Sequence, residues 1–247
     1  MFECRNIKHL FKLILVDIMV FLLCACFFFV GKSFFNSSAG GDSDKPVFMP
    51  VIMYHSVYSG SPAEYIVTPA QFENDLSWLS ENGCTTITAQ QLTDYVNGIG
   101  ILPEKPVMIT LDDGCYNNLS DVLPLLEKYD MHAIVSVVGE YTNVTAKNDP
   151  HISAYSYLTW EDIRNLISSG HVEIGNHTYN MHSFKGTRKG CSMNPDETEE
   201  QYRQLLTEDL SLMQNEIKHN TGTLPIVFAY PFGFRSVEST PVIRELG

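Results

Sequence analysis

Three polar clusters, each directly behind an apolar run, are where this sequence could do chemistry. Asp112 and Asp113 follow Val107–Leu111, His177 and His182 follow Val172–Ile174, and Tyr54-His55 follow Ile52. Two imidazoles and one carboxylate make a common facial set for a divalent metal, with positions left open for water and substrate. A second carboxylate beside such a metal is free to take a proton. That division of labour suits hydrolysis of an amide or ester: the metal acidifies its water and polarises the carbonyl, and the spare carboxylate removes the proton. Residues five apart lie about 140° apart around a helix, so His177 and His182 cannot share a helical face. The segment Gly175-Asn176-His177-Thr178-Tyr179-Asn180-Met181-His182 must therefore be a loop that curls back, with Tyr179 and Met181 read as packing residues.

The elements around these clusters have to deliver them to one place. Val51–Tyr54, Thr85–Ile87, Val107–Leu111, Ala133–Val138, Val172–Ile174 and Ile226–Ala229 read as strands. Thr68 caps a helix that opens at Pro69, buries Phe72, Leu76 and Leu79, and stops near Gly83. Thr88 and Thr159 repeat the cap signature, the first ahead of an apolar face of Leu92, Tyr95 and Val96, the second opening a helix through Ser169. Leu119–Tyr129 and Pro241–Leu246 also read as helices. Glu197–Asn220 is a long amphipathic one, with Leu205, Leu206, Leu210, Met213 and Ile217 inward. Strand and helix in alternation imply an α/β fold, a parallel sheet or barrel with helices outside. In such folds working residues sit at the carboxyl ends of the strands, where all three polar clusters fall.

Ahead of this region the chain changes character. Residues 1–9 read as a cytoplasmic N-terminus, and Leu10–Val30 is apolar except for Lys12 and Asp17, close to the ~20 residues that span a bilayer. Arg5, Lys8 and Lys12 orient it with the N-terminus inside, and the run lacks a small-x-small cleavage site. Residues 31–45, rich in Ser, Gly and Asp, read as a flexible linker, and 46–247 as the catalytic domain. The expected location is thus the cell membrane, single-pass, with the domain outside the cytoplasm. With 16 basic against 29 acidic side chains the formal charge is −13, which argues against nucleic acid as a partner. Cys84, Cys115 and Cys191 show no paired spacing and read as free thiols.

Thr110-Leu111-Asp112-Asp113-Gly114 resembles the first motif of the NodB-homology polysaccharide deacetylases, and His177–His182 resembles their His-Ser/Thr-x-x-His motif with one extra residue. Tyr230-Pro231-Phe232-Gly233 is similar to their third motif, and Val51–His55 to the Met-Tyr-His opening of a membrane-anchored branch that includes poly-N-acetylglucosamine and peptidoglycan deacetylases. The resemblance implies a distorted (β/α) barrel and hydrolytic removal of N-acetyl groups from a cell-wall or extracellular polysaccharide. It implies Asp112 as general base, and Asp113, His177 and His182 as ligands of a divalent metal, usually zinc. Tyr230, Pro231 and Phe232 would line the acetyl pocket, and His55 is a candidate substrate contact. Two departures stand out. The family's third-motif Arg falls at Ala229, with Arg235 out of register, and no counterpart of the later motifs follows, so the barrel is expected to be incomplete at its C-terminus. Two other readings stay open: O-acetyl ester hydrolysis on a glycan by the same chemistry, and a wall-binding protein that has lost turnover.

Overall fold

A computed structural model describes residues 47–61, 63–146, 151–184 and 188–246. The expected anchor and linker lie outside these residues. Among the described residues no helix is long and apolar enough to cross a membrane.

The sheet is built around its most apolar segment. Strands β1 (Val51–Tyr54), β4 (Thr85–Thr86), β5 (Pro106–Leu111), β6 (Ala133–Val137) and β7 (Val172–Asn176) form it, in the order β1-β5-β6-β7 with β4 paired to the opening of β5. A short separate pair, β2 (Ser56–Val57) and β3 (Ile66–Val67), lies outside it. In β5 every residue but Thr110 is buried, as expected of a strand covered on both faces. All pairings are parallel, with Tyr54 opposite Leu111, Leu111 opposite Val135, and Val137 opposite Asn176. Parallel register carries the residues that follow each strand, His55, Asp112 and His177, to the same edge.

Helices α1 (Pro69–Glu81), α2 (Ala89–Val96), α4 (Trp160–Ser168) and α5 (Glu199–Thr221) each open on a Thr capping box, at Thr68, Thr88, Thr159 and Thr198. Such a cap stabilises a helix start by about 1 kcal/mol. On one face of the sheet Val107, Ile109, Leu111, Val135 and Ile174 pack with Phe72 and Leu76 of α1, Leu126 of α3 (Leu123–Tyr129), Ile163 and Leu166 of α4, and Met213 and Ile217 of α5. A second cluster joins Tyr202, Leu206 and Leu210 of α5 to Met181, Cys191 and Val242, the last from α6 (Ser239–Glu245). Helix α5 therefore ties the main core to the segment that carries His182.

Several local expectations are corrected. The run Ile226–Ala229 is not a full strand: only Phe228 bridges, to Asn176 at the end of β7, through Asn176 N–H to Val227 O and Ala229 N–H to Asn176 O. Asn118–Val122 is a π-helical turn before α3, because Pro124 has no N–H to continue an α-helical ladder. A second π-helical turn, Tyr141–Thr145, follows β6 unannounced by any apolar period. Val96 is 74% exposed and Leu205 40%, so neither belongs to the inner face of its helix, and Tyr202 takes the place of Leu205. Cys84, Cys115 and Cys191 are free thiols, as expected.

Candidate active site

The Asp-Asp turn is shaped by backbone. β5 ends at Leu111, and the Asp112 N–H continues the ladder to Tyr54 O at 3.0 Å. Asp113 and Gly114 then both adopt positive φ, 73° and 69°, reversing the chain sharply at the sheet edge. Thr178 (φ 75°) and Phe232 (φ 57°) share this left-handed geometry, so three of the five non-glycine residues with positive φ among the described residues lie at this edge. Conformations of this kind cost about 1–3 kcal/mol each and persist where surrounding contacts impose them.

Asp113, His177 and His182 converge, each offering one ligand atom, all within 4.8 Å of one another. His177 Nε2 lies 3.5 Å and His182 Nε2 2.9 Å from Asp113 Oδ1. Donors about 2.1 Å from a tetrahedral zinc stand about 3.4 Å apart, so both Asp113–imidazole separations lie within about half an ångström of that spacing. His177 Nδ1 donates to the Ala229 carbonyl at 2.9 Å, a bond that fixes the tautomer and leaves the Nε2 lone pair facing Asp113. His182 Nδ1 sits 3.0 Å from the Tyr141 hydroxyl, which can hold its ring in the same sense. Asp113 Oδ1 is buried with no aligned hydrogen bond, despite its closeness to both Nε2 atoms. A buried carboxylate oxygen set against two imidazole nitrogens is a donor set that fits a divalent metal.

The charges fit the same picture. Burial alone would raise Asp113, but the two imidazoles outweigh it and hold the carboxyl well below the usual range. Burial raises Asp112, which is only 6% exposed, against the opposing pull of His177 and His55. Burial lowers His177, yet Asp113 and Asp112 prevail and its net shift is upward. Two acids of one turn are thus pushed in opposite directions, one toward permanent charge and one toward exchanging a proton. Cys115, two residues on, is pushed up to about 12 by burial and the Asp113 charge, so it stays a thiol.

The remaining predicted residues surround this centre. His55 follows β1, with its ring 5.0 Å from that of Tyr65 and its carbonyl accepting from Asn118 Nδ2. Phe232 lies 4.3 Å, ring to ring, from His182 and 4.1 Å from the exposed Phe184. Pro231 is buried, and the Tyr230 hydroxyl engages Ser239 Oγ at 2.8 Å. Sequence reasoning missed Tyr141, whose ring lies 4.3 Å from that of Tyr157 at a 31° tilt and which reaches His182 from a π-helical turn. It also missed the Ala229 carbonyl, since a backbone contact leaves no mark in residue type.

Known proteins resemble this chain over most of its length. The chain is 27% identical over 212 residues to YxkH of Bacillus subtilis (strain 168), covering 86% of this chain and 66% of that protein. It is 25% identical over 199 residues to the poly-beta-1,6-N-acetyl-D-glucosamine N-deacetylase of Escherichia coli (strain K12), covering 73% of this chain and 30% of that one. The chain thus spans about two thirds of the first relative and under a third of the second. Among solved structures, IcaB from Ammonifex degensii superposes with a TM-score of 0.69 at 26% identity, over 81% of this chain and 80% of that one. A de-N-acetylase from Aggregatibacter actinomycetemcomitans gives 0.71 at 24%, over 81% and 85%. The fold is the α/β, distorted (β/α)-barrel type of the NodB-homology deacetylases, with the described strands forming an open parallel sheet. The polysaccharide deacetylase family matches residues 100–247, a stretch that includes both the Asp-Asp turn and the histidine loop, and the chain belongs to that family.

Proposed function

We propose that this protein is a metal-dependent hydrolase that removes N-acetyl groups from N-acetylglucosamine-type residues of a cell-wall or extracellular polysaccharide. The observation that carries the reading is the convergence of Asp113, His177 and His182 at the sheet edge, beside a second, buried carboxylate, Asp112, whose proton affinity is raised. A bound divalent ion, zinc by its nitrogen and oxygen donors, supplies an acidified water and polarises the amide carbonyl. The chain's own residues do the rest. Ala229 and Tyr141 hold the two imidazoles with Nε2 toward Asp113. Asp112 receives the proton from the attacking water, a role its raised proton affinity suits, and returns it to the amine nitrogen as the C–N bond breaks. Phe232 and Phe184 offer apolar ring faces beside His182 against which a pyranose can rest.

The polymer is inferred from the relatives, of which the Escherichia coli protein is named for poly-β-1,6-N-acetyl-D-glucosamine. Ala229 stands in place of the family's arginine, and its backbone carbonyl, which any residue provides, accepts from His177 Nδ1. We further infer that Leu10–Val30 anchors the domain outside the cytoplasm, from its apolar length and the basic residues ahead of it. The test of the activity is acetate release from N-acetylglucosamine oligomers. Release should stop with a chelator and return with zinc; release unaffected by metal removal contradicts the reading.

A further inference from the structure

The histidine loop has to turn back on itself within four residues, and its backbone hydrogen bonds show what holds the turn. Thr178 N–H donates to Asn176 Oδ1 at 2.8 Å, and Met181 N–H to Thr178 Oγ1 at 3.2 Å. The Thr178 and Tyr179 carbonyls accept from Gly139 N–H at 3.1 Å and Glu140 N–H at 2.8 Å. Two donors, the N–H groups of Tyr179 and Asn180, find no partner in the loop or in the segment after β6. Both go to one side chain far along the sequence: Tyr179 N–H to Asp209 Oδ1 and Asn180 N–H to Asp209 Oδ2, each at 2.8 Å.

Asp209 lies inside α5, where its residue type is a poor helix former. Its neighbour Leu210 adds a second tie, its carbonyl accepting from Asn176 Nδ2 at 3.2 Å. One turn of the long helix therefore holds the loop at both of its shoulders. That turn is rigid, because Leu206, Leu210 and Met213 around it are buried.

We propose that Asp209 is a positioning residue for the metal site, its carboxylate fixing the reversal that returns His182 to His177 and Asp113. The proposal rests on the metal-site reading above. Asp209 touches neither substrate nor metal. It acts through the backbone, satisfying two N–H groups with one charged acceptor and so selecting a single loop shape. Without it those donors must turn toward water, and the left-handed Thr178, φ 75°, is held only by its bonds to Asn176, Met181 and Gly139.

The experiment is zinc affinity, measured on the full chain by competition with a chelator, for the wild type, Asp209→Ala, Asp209→Asn and the control Ile217→Val. The control lies on the same helix and trims the core without touching the loop. Supporting residues around metal ligands are typically worth about 10–100-fold in affinity. Asp209→Ala should weaken zinc binding by about that factor while still folded at the assay temperature. Asp209→Asn, which keeps one acceptor, should lose less, and Ile217→Val should melt earlier with unchanged affinity. Wild-type affinity in folded Asp209→Ala overturns the proposal, as does an equal loss in Ile217→Val. A wild type that does not bind zinc refutes the metal reading instead. Should both Asp209 variants fail to fold, hydrogen exchange on the wild type decides. Slow exchange of the Tyr179 and Asn180 amides, comparable to α5, supports the clamp, and exchange at open-loop rates overturns it.

Discussion

Replacing Gly114 by alanine would place a methyl carbon 2.9 Å from Val137 Cγ1 and 3.3 Å from Val137 Cβ. Val137 is fully buried at the end of β6, so its side chain has little room to withdraw. Two costs add. Holding alanine at φ 69° strains the backbone by about 1–2 kcal/mol, and forcing a methyl into a packed wall costs about 1–3 kcal/mol more. Urea unfolding should therefore register a loss of about 2–5 kcal/mol, the sum of the backbone and clash costs, with zinc affinity reduced because Gly114 closes the turn that aims Asp113. Relief by Val137→Ala separates the two terms: the double variant should recover about 1–3 kcal/mol relative to the sum of the single losses, since only the clash disappears. A Gly114→Ala stability within about 0.5 kcal/mol of wild type refutes the reasoning, and strict additivity refutes the clash.

Tyr141→Phe removes the hydroxyl beside His182 Nδ1 and should weaken zinc binding about 10-fold with little change in unfolding, read by chelator competition and urea titration. Burial pushes Cys115 and Cys191 up to about 12, so iodoacetamide at pH 8 should leave both unmodified in the native protein and label both in urea, as mapped by peptide mass. The folded chain keeps these protons above the ordinary thiol value of 9.0 while the unfolded chain releases them, so stability should fall as pH rises past about 9. Protease added to intact cells should degrade the domain, and full protection would contradict the outward topology.

The site was legible in sequence where chemistry and spacing coincide. Asp112 and Asp113 stand directly behind an apolar strand, and the five-residue step from His177 to His182 forbids a helix. Thr68, Thr88 and Thr159 announced their helices through side chains that satisfy local N–H groups, a signal confined to four residues. The box at Thr198-Glu199-Glu200-Gln201 carries the same signal and places the start of α5 later than Glu197. Long-range contacts were harder to read. The buried stripe of α5 steps through Tyr202, Leu206, Leu210, Met213 and Ile217, and Leu205 lies about 100° from Leu206 around the helix and off the stripe. Ile226–Ala229 has a strand's composition, but it meets β7 only at its last residue, so pairing ends after one bridge. Tyr141 and Asp209 support the histidine loop from 41 and 30 residues away. Nothing local in sequence marks either of them.

The central claim is a division of labour between two adjacent carboxylates, and one comparison tests it directly. Zinc content and acetate release from N-acetylglucosamine oligomers are measured side by side for wild type, Asp112→Asn and Asp113→Ala. The expected result is that Asp113→Ala loses the metal and turnover together. Asp112→Asn should retain the metal and lose about 10²–10⁴-fold in rate, the usual worth of a general base. Full metal content in Asp113→Ala, or wild-type turnover in Asp112→Asn, would contradict it.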